Sequence, residues 1–469
     1  MSREKNLIFN SLILMLGTFL PRMVSFFTTP IITANTTDIG YGYYQLTTTT
    51  VISLIVPIIS LQIEQSLYRF LIDAKDEMQK KTVITTGLSF IFAIMAVVGV
   101  IGIIIPIPIY PGIWKIVLII YLFSEILAGQ SRFILRGFSK YKNYSTQAAL
   151  IVFVNFLFIF INLVVFDFGY LGIILSLALA NLVGIIYVVI VGQVYKYYRP
   201  KLFDKLLFSD MLHYSLPFLP NNIAWYLNTT SDRWMLNLFF GAAATGIYGA
   251  ANQIPSLVNL IYPAFNMAWM ESAIKSANDS DREAYYLKMY RILFRLLAAG
   301  SVILMIVSPV LYNLLIRNSD LYDGFKYTSL LIVAVFVYSL AQFLGSIYIA
   351  LKQTRNMTVS TSIAAVVNIA INLAFMPFFG LEIAVYSTFI ANLSLLVYRL
   401  YDINKRFMKL TVNKRQVIFT AIVMTIVGYA VISTNIYFIV AGVAIGLFFV
   451  YVMAIDLVLD MAKKIIKRL

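Results

Sequence analysis

An arginine within an apolar stretch is the residue of this sequence best suited to binding an anion. Arg22 follows Pro21 in the segment FLPR, and a nearly identical segment, FLPN, recurs at residues 218–221. A guanidinium holds a phosphate or a carboxylate through two parallel hydrogen bonds. In a membrane helix a charged arginine costs about 2.5–3.5 kcal/mol even on the lenient insertion scale. Arg22 is therefore expected either to reach the membrane surface or to bind an anion in a polar interior.

Polar side chains recur along one face of four apolar segments, at spacings close to multiples of the 3.6-residue helical period. Such stripes line a water-filled cavity or, alternatively, hold neighbouring helices together. We favour the cavity because the stripes occupy matching places in two halves of the chain. The candidate cavity residues are Arg22, Ser25, Thr29, Ser53, Asn221, Asn222, Trp225, Asn228, Asn252 and Asn259.

A few carboxylates fall within or beside the apolar segments. Asp232 and Arg233 are predicted to form an ion pair or a gate at the outer rim, and Glu64 with Arg69 a pair at the inner end of the second segment. Glu125 lies in the middle of its segment, so it is predicted to pair or to carry a proton. Glu64, Glu125 and Asp232 are the candidates for coupling to H⁺ or Na⁺, and the membrane potential is a further driving force.

Some kinds of chemistry are not expected from this sequence. It contains no cysteine and one histidine, so thiol chemistry and a histidine-cluster metal site are excluded. It has no glycine-rich phosphate loop, so ATP hydrolysis is not expected. We therefore predict no cofactor, no metal and no enzymatic activity.

The elements that position these residues are membrane helices. Hydrophobic residues make up 61% and charged residues 12% of the 469 residues, and the mean hydropathy is +0.85. Apolar stretches of about 20 residues, each long enough to cross a bilayer, recur throughout. We predict an all-α integral membrane protein of about fourteen spans, at residues 7–34, 46–68, 82–105, 113–135, 145–166, 170–194, 211–235, 246–270, 292–315, 326–350, 357–377, 381–400, 416–434 and 436–457.

The basic residues support this count. With both termini in the cytoplasm, 31 of the 36 Lys and Arg residues lie at cytoplasmic ends or loops, as the positive-inside rule requires. The net charge of +15 thus indicates topology and contact with anionic membrane lipids, not nucleic-acid binding. The predicted outer loops are short, which argues against a membrane-embedded glycan polymerase.

Three sequence echoes occur in the same order at nearly constant spacing. FLPR is followed by FLPN, the pair Gly42 and Tyr44 by Gly246 and Tyr248, and INLVVFDFG at 161–169 by INLAFMPFFG at 371–380. They predict two pseudo-symmetric six-helix lobes followed by two further helices, a plan used by transporters. The predicted parts are an N-lobe at 1–195, a cytoplasmic linker at 196–210, a C-lobe at 211–401 and a C-terminal part at 402–469.

The stretch at 231–273 resembles the polysaccharide-export flippases of the multidrug/oligosaccharidyl-lipid/polysaccharide (MOP) exporter superfamily. The segments TTDIGYGYYQL and LYRF resemble the opening pair of spans in that family. The resemblance covers nearly the whole chain and implies a fold similar to that of the MATE transporters. The family's pattern is represented here by Asp232-Arg233, Gly241, Gly246-Ile247-Tyr248 and Ala250-Ala251.

The resemblance implies a flippase of the bacterial cytoplasmic membrane. Its substrate would be an undecaprenyl-diphosphate-linked oligosaccharide, moved from the inner to the outer leaflet by alternating access for cell-surface polysaccharide synthesis. The partners implied are that polyprenyl-diphosphate-linked glycan and, potentially, a polysaccharide polymerase and glycosyltransferases. The alternatives are a multidrug or cation antiporter of the same superfamily and a flippase for lipid II or teichoic-acid precursors.

Overall fold

The computed structural model describes residues 26–466, with the side chains at 221, 228, 259–261, 264, 267–268, 271, 354 and 456–466 excepted. Helices account for most of this part, and no strand occurs within it. The helices are α1 (described from 26 to 34), α2 (Asp38–Thr50), α3 (Val56–Ser60), α4 (Ile63–Asp73), α5 (Glu77–Ile104), α6 (Ile113–Gly137), α7 (Tyr141–Phe160), α8 (Gly169–Val191), α9 (Lys205–Ser215), α10 (Phe218–Ala251), α11 (Val258–Lys275), α12 (Arg282–Leu315), α13 (Phe325–Ala350), α14 (Thr354–Phe379), α15 (Leu381–Arg406), α16 (Lys414–Ile432) and α17 (Ile436–Ile466).

Polar residues in the short connections start several of these helices. Asp76 accepts a hydrogen bond from the backbone N–H of Gln79 at 2.7 Å and caps α5. Asn413 caps α16 in the same way. Such caps satisfy backbone donors that the first helical turn leaves free, so each apolar helix begins at a defined residue.

Eleven helices of the described part are long and apolar enough to cross a membrane. They confirm the predicted all-α membrane protein. The predicted first span lies mostly outside the described residues. The predicted seventh span covers the end of α9 and the first half of α10, and the predicted eighth covers the end of α10 and most of α11. The predicted ninth span, which we placed at 292–315, belongs to a longer helix that begins at Arg282.

The predicted second span is interrupted. A π-helical segment, Val51–Ile55, follows α2, and α3 then ends at two consecutive left-handed residues, Leu61 (φ 50°) and Gln62 (φ 58°). A side chain is disfavoured in this backbone region, so the interruption is a specific feature of the fold. Beyond it, α4 packs against α6 and α9.

The chain divides into two compact units, one ending at Thr230 and the other beginning at Ser231. In the first unit the core includes Ile63, Leu67 and Ile84, all fully buried. The residues of the predicted linker lie against α5, because the Thr85 hydroxyl accepts the backbone N–H of Arg199 at 2.9 Å.

In the second unit a buried arginine joins three helices. The Arg399 side chain of α15 is 1% exposed. Its guanidinium donates to the Ala341 carbonyl on α13 at 2.6 Å, and to the hydroxyls of Ser360 and Thr361 on α14 at 3.0 and 3.1 Å. These bonds fix the three helices to one another near the ends of α13 and α15.

Candidate functional site

Asp232 is the centre of a buried polar cluster in the second unit. It lies on α10 and is 4% exposed. The hydroxyls of Thr388 and Tyr248 donate to its Oδ2 at 2.7 and 3.1 Å, and the Asn372 amide donates to its Oδ1. The carboxylate is thus held by hydrogen-bond donors from separate parts of the chain.

The helices bring these donors together for simple geometric reasons. Asn368 and Asn372 are one turn apart on α14, so they share a face, and Asn372 donates to Asn368 Oδ1 at 3.2 Å. On α15, Ser387 donates to Asn372 Oδ1 at 2.8 Å. Tyr248 reaches the site from the far end of α10, beyond Gly241, whose backbone (φ 80°, ψ −178°) is not helical.

Every group that bonds to Asp232 in the described part of the chain is neutral. Burying an ionised carboxylate is costly unless it is paired or hydrogen-bonded. Here the hydrogen bonds are present, and no opposite charge is bonded to the carboxylate within the part of the chain that the structure describes. The cluster also presents carboxylate, hydroxyl and amide oxygens, which are the ligand types preferred by hard cations. It is therefore chemically suited to take up a proton or a small monovalent cation.

The predicted ion pair between Asp232 and Arg233 does not form. Consecutive residues of an α-helix point about 100° apart, and Asp232 faces the buried cluster instead. The described contact of Arg233 is through its backbone, whose carbonyl accepts the Thr245 hydroxyl at 3.2 Å. Asp232 is buried against neighbouring helices, and its position at the outer rim of the membrane stays a prediction.

The predicted pair of Glu64 and Arg69 does not form either. Arg69 pairs with Asp73 one turn further along α4, at 3.2 Å, and both side chains are more than half exposed. Glu64 instead accepts a hydrogen bond from the amide of Gln130 on α6 at 2.9 Å. The five-residue spacing of Glu64 and Arg69 places them on different faces of the helix.

Glu125 is paired, one of the two outcomes that the sequence left open. Asn181 of α8 donates to its Oε2 at 2.7 Å, and Arg132 lies 3.5 Å from its Oε1. Unlike Asp232, this carboxylate therefore has a cation beside it.

The predicted cavity residues are only partly within the described structure. Arg22 and Ser25 lie outside the described residues, and the side chains of Asn221, Asn228 and Asn259 are among the exceptions. Thr29 is buried, whereas Ser53 and Asn222 are partly exposed and Trp225 is 47% exposed. Asn252 donates to the Tyr248 carbonyl on its own helix at 2.9 Å. The central cavity remains a prediction.

Sequence reasoning did not identify the residues that hold Asp232, namely Tyr248, Asn372 and Thr388. A usable signal was present, because polar residues within apolar spans usually face protein or water. Asn368 and Asn372, one turn apart in an otherwise apolar helix, carry this signal. We used Asn372 only as part of a repeat marker.

Among the described residues no group of His, Cys, Asp or Glu side chains has the composition of a multi-ligand metal centre. A site at Asp232 would depend on one carboxylate and neutral oxygens, which matches a weakly bound monovalent cation better than a transition metal.

Comparison with known structures shows the fold. A structure of the lipid II flippase MurJ in an inward closed conformation has a TM-score of 0.70 at 14% identity, covering 96% of this chain and 100% of MurJ. A multidrug resistance MATE family transporter in an inward-facing conformation has a TM-score of 0.63 at 14% identity, covering 83% of this chain and 93% of its own. A MOP superfamily transporter from Pyrococcus furiosus has a TM-score of 0.55 at 14% identity, with the same coverage.

Comparison with curated proteins gives no match. Residues 7–270, more than half of the chain, match the family described as polysaccharide biosynthesis protein. This multi-pass membrane protein therefore belongs to the polysaccharide biosynthesis protein family and has the fold of the MOP-superfamily transporters.

Proposed function

We propose that this protein is a flippase that moves polyprenyl-diphosphate-linked oligosaccharide repeat units from the inner to the outer leaflet of the bacterial cytoplasmic membrane. The family match supports a role in the synthesis of a surface polysaccharide. The fold similarity to a lipid II flippase supports a lipid-linked glycan as the substrate. The observation that carries the proposal furthest is the buried carboxylate of Asp232, which bonds only to neutral groups among the described residues, because an intramembrane carboxylate of this kind is characteristic of ion-coupled transport.

In this proposal Asp232 is the coupling site for H⁺ or Na⁺. When the cation binds, it cancels the buried negative charge. The relative free energies of the transporter's conformations therefore depend on whether the site is filled. The hydroxyls of Thr388 and Tyr248 can rotate so that their oxygens face a cation, and they donate to the carboxylate when it is empty. The cluster is therefore able to hold Asp232 in both states.

The diphosphate of the substrate requires a cationic partner, and Arg22 is the proposed one. Outward movement of a negative charge is favoured by an inside-negative membrane potential by about 2.3 kcal/mol per charge per 100 mV. In this proposal Arg22 binds the substrate and Asp232 binds the coupling cation, so the two roles can be separated by experiment.

The test is a reconstituted flipping assay with a fluorescent polyprenyl-diphosphate-linked oligosaccharide in vesicles. We expect Arg22→Ala to abolish flipping at every cation concentration, and Arg22→Lys to retain part of it because Lys offers charge without the bidentate fork. We expect Asp232→Asn to abolish the response to an imposed H⁺ or Na⁺ gradient. Normal flipping by Arg22→Ala at normal protein levels would refute the anion-binding role.

The same vesicles distinguish the alternatives. A drug antiporter, favoured by the fold similarity to a MATE transporter, would move a lipophilic cation in the direction opposite to the flow of H⁺ or Na⁺. It would leave the lipid-linked glycan in its original leaflet. A lipid II flippase would prefer lipid II to a lipid-linked oligosaccharide repeat unit. Transport of either compound in preference to the repeat unit would replace the proposed substrate.

A further inference from the structure

A groove runs along the second unit between α13, α15 and α16. Its volume is about 620 Å³, within the range of about 300–1,000 Å³ that small-molecule sites occupy. Leu330 and Val333 of α13, Phe389 of α15 and Met424 of α16 give it apolar walls. It opens to the surface, where the rings of Tyr386 and Tyr429 are 50% and 70% exposed. One wall is thus α16, a helix that the internal repeat does not include.

Two opposite charges lie at one end of this groove. Lys326 is in the first turn of α13, and Glu382 is in the first turn of α15. Both side chains are exposed, and the two form no salt bridge with each other or with other described residues. The Lys326 ammonium lies 5.0 Å from the centre of the Tyr327 ring. Neither charge is therefore committed to a salt bridge among the described residues, and the carboxylates of Asp323 and Glu382 both lie near enough to Lys326 to act on its charge.

The charges also share one level of the membrane. Because α13 and α15 both begin at this end, Lys326 and Glu382 lie together at one boundary of the apolar region, and the charge distribution of the sequence assigns that boundary to the outer face. The apolar walls extend from there towards the membrane interior. A ligand that fits must have an apolar chain and, at one end of it, both an anionic and a cationic group.

We propose that this groove binds a zwitterionic phospholipid of the ethanolamine type from the outer leaflet. The lipid phosphate contacts Lys326, the lipid ammonium contacts Glu382, and an acyl chain lies between α13, α15 and α16. Charge-assisted hydrogen bonds of this kind are stronger than neutral ones. An anionic lipid would satisfy Lys326 alone and be repelled by Glu382, and a polyprenyl chain would use the walls without using the charges. The bound lipid holds α16 against α13 and α15.

The experiment is native mass spectrometry of the detergent-purified full chain with defined lipids. We expect phosphatidylethanolamine to be retained about tenfold more than phosphatidylglycerol, the preference produced by one favourable charged contact replaced by a repulsive one. Lys326→Glu should lower the retention of phosphatidylethanolamine, because the new carboxylate repels the lipid phosphate. Lys326→Glu combined with Glu382→Lys should restore it, because a zwitterion can reverse its orientation. Lys115→Glu is the control, since it makes the same change at a partly exposed lysine outside the groove.

A second measurement locates the lipid. The chain contains no cysteine, so Thr425→Cys places a single thiol on the groove wall. Phosphatidylethanolamine should slow its reaction with a soluble maleimide, and the charge reversal at Lys326 should remove that protection. The proposal would be overturned if the unmodified chain retained both phospholipids equally. It would also be overturned if polyprenyl phosphate slowed the reaction of the thiol equally in the unmodified chain and in the charge variants. Neither readout depends on the transported substrate, so they are independent of the flippase proposal.

Discussion

The two sequence repeats place an asparagine and a serine in hydrogen-bond contact at equivalent positions, yet only one repeat adds a carboxylate. In the first unit, Asn162 donates to Ser176 Oγ at 2.9 Å. In the second, Ser387 donates to Asn372 Oδ1 at 2.8 Å, and the Asn372 amide donates to Asp232. In the second unit the Asn372 N–H donates to the carboxylate, so the bond between the two residues runs from the Ser387 hydroxyl to the Asn372 oxygen.

The position that matches Asp232, counted from the FLP segment of each half, is Thr33. Its hydroxyl donates to the Thr29 carbonyl on its own helix at 3.0 Å. The framework of the two units is therefore shared, but among the described residues this Asn–Ser contact is joined to a carboxylate in the second unit alone. We infer from this difference that the Asn–Ser contact serves packing, and it supports the coupling role proposed for Asp232.

The largest expected effect is that of removing the charge. Asp232→Asn keeps the shape of the side chain, and we expect cation-driven flipping to fall about 100-fold, which corresponds to roughly 3 kcal/mol of lost cation binding. The measurement is initial flipping rate in vesicles under an imposed gradient, with membrane insertion as the control.

Adding Thr33→Asp to Asp232→Asn tests whether the charge can be moved to the first unit. We expect no recovery of flipping, because at position 33 the new carboxylate would lack the donor set of the second unit. Restored flipping would show that the two repeats are interchangeable.

The second effect compares the two asparagines directly. Asn372→Leu removes an Asp232 donor, so we expect flipping to fall about tenfold. Asn162→Leu removes only a packing hydrogen bond, and we expect a loss of about 1 kcal/mol in the free energy of unfolding with flipping retained. Thermal unfolding and flipping measured on both variants check this, and equal losses of flipping would contradict the assignment.

The third effect concerns two buried tyrosines. Tyr248→Phe removes one hydroxyl from Asp232, and the cation concentration at half-maximal rate should rise about fivefold, equivalent to roughly 1 kcal/mol.

Tyr121 of the first unit has a fully buried hydroxyl without a hydrogen-bond partner among the described residues. Tyr121→Phe should therefore leave the unfolding temperature unchanged or raise it, and a clear fall would show that this hydroxyl is bonded.

The smallest effect is expected at Glu125. The Arg132 side chain is 34% exposed and the pair is long, at 3.5 Å, so its contribution is about 0.2–1 kcal/mol. Glu125→Gln should keep the Asn181 contact and change the flipping rate less than about twofold. A loss above tenfold would make Glu125 a coupling carboxylate and end the distinction between the units.

The membrane fold could be read from the sequence because long apolar runs and the distribution of basic residues are local signals. Interruptions were less visible. The break at Leu61 and Gln62 was missed because neither residue is the glycine that usually occupies the left-handed region. The helix that begins at Arg282 was predicted ten residues too short because its first turns are polar.

The candidate site was less predictable because it is assembled from distant segments. The sequence singled out Asp232, but its neighbour Arg233 suggested a pair that helical geometry forbids. Its true partners, Asn372 and Thr388, lie 140 and 156 positions away. Only the packing of α14 and α15 against α10 determines that the carboxylate is buried.

The break at Leu61 and Gln62 has a mechanical consequence. A continuous helix transmits torque along its length, whereas two left-handed residues interrupt the hydrogen-bond ladder and release the halves from each other. The half after the break, α4, is bonded to α6 through Glu64 and Gln130, and to α9 through the hydrogen bond from Ser66 to the Met211 carbonyl. We therefore expect α4 to move with α6 and α9, and its angle to α2 to change at Leu61 and Gln62.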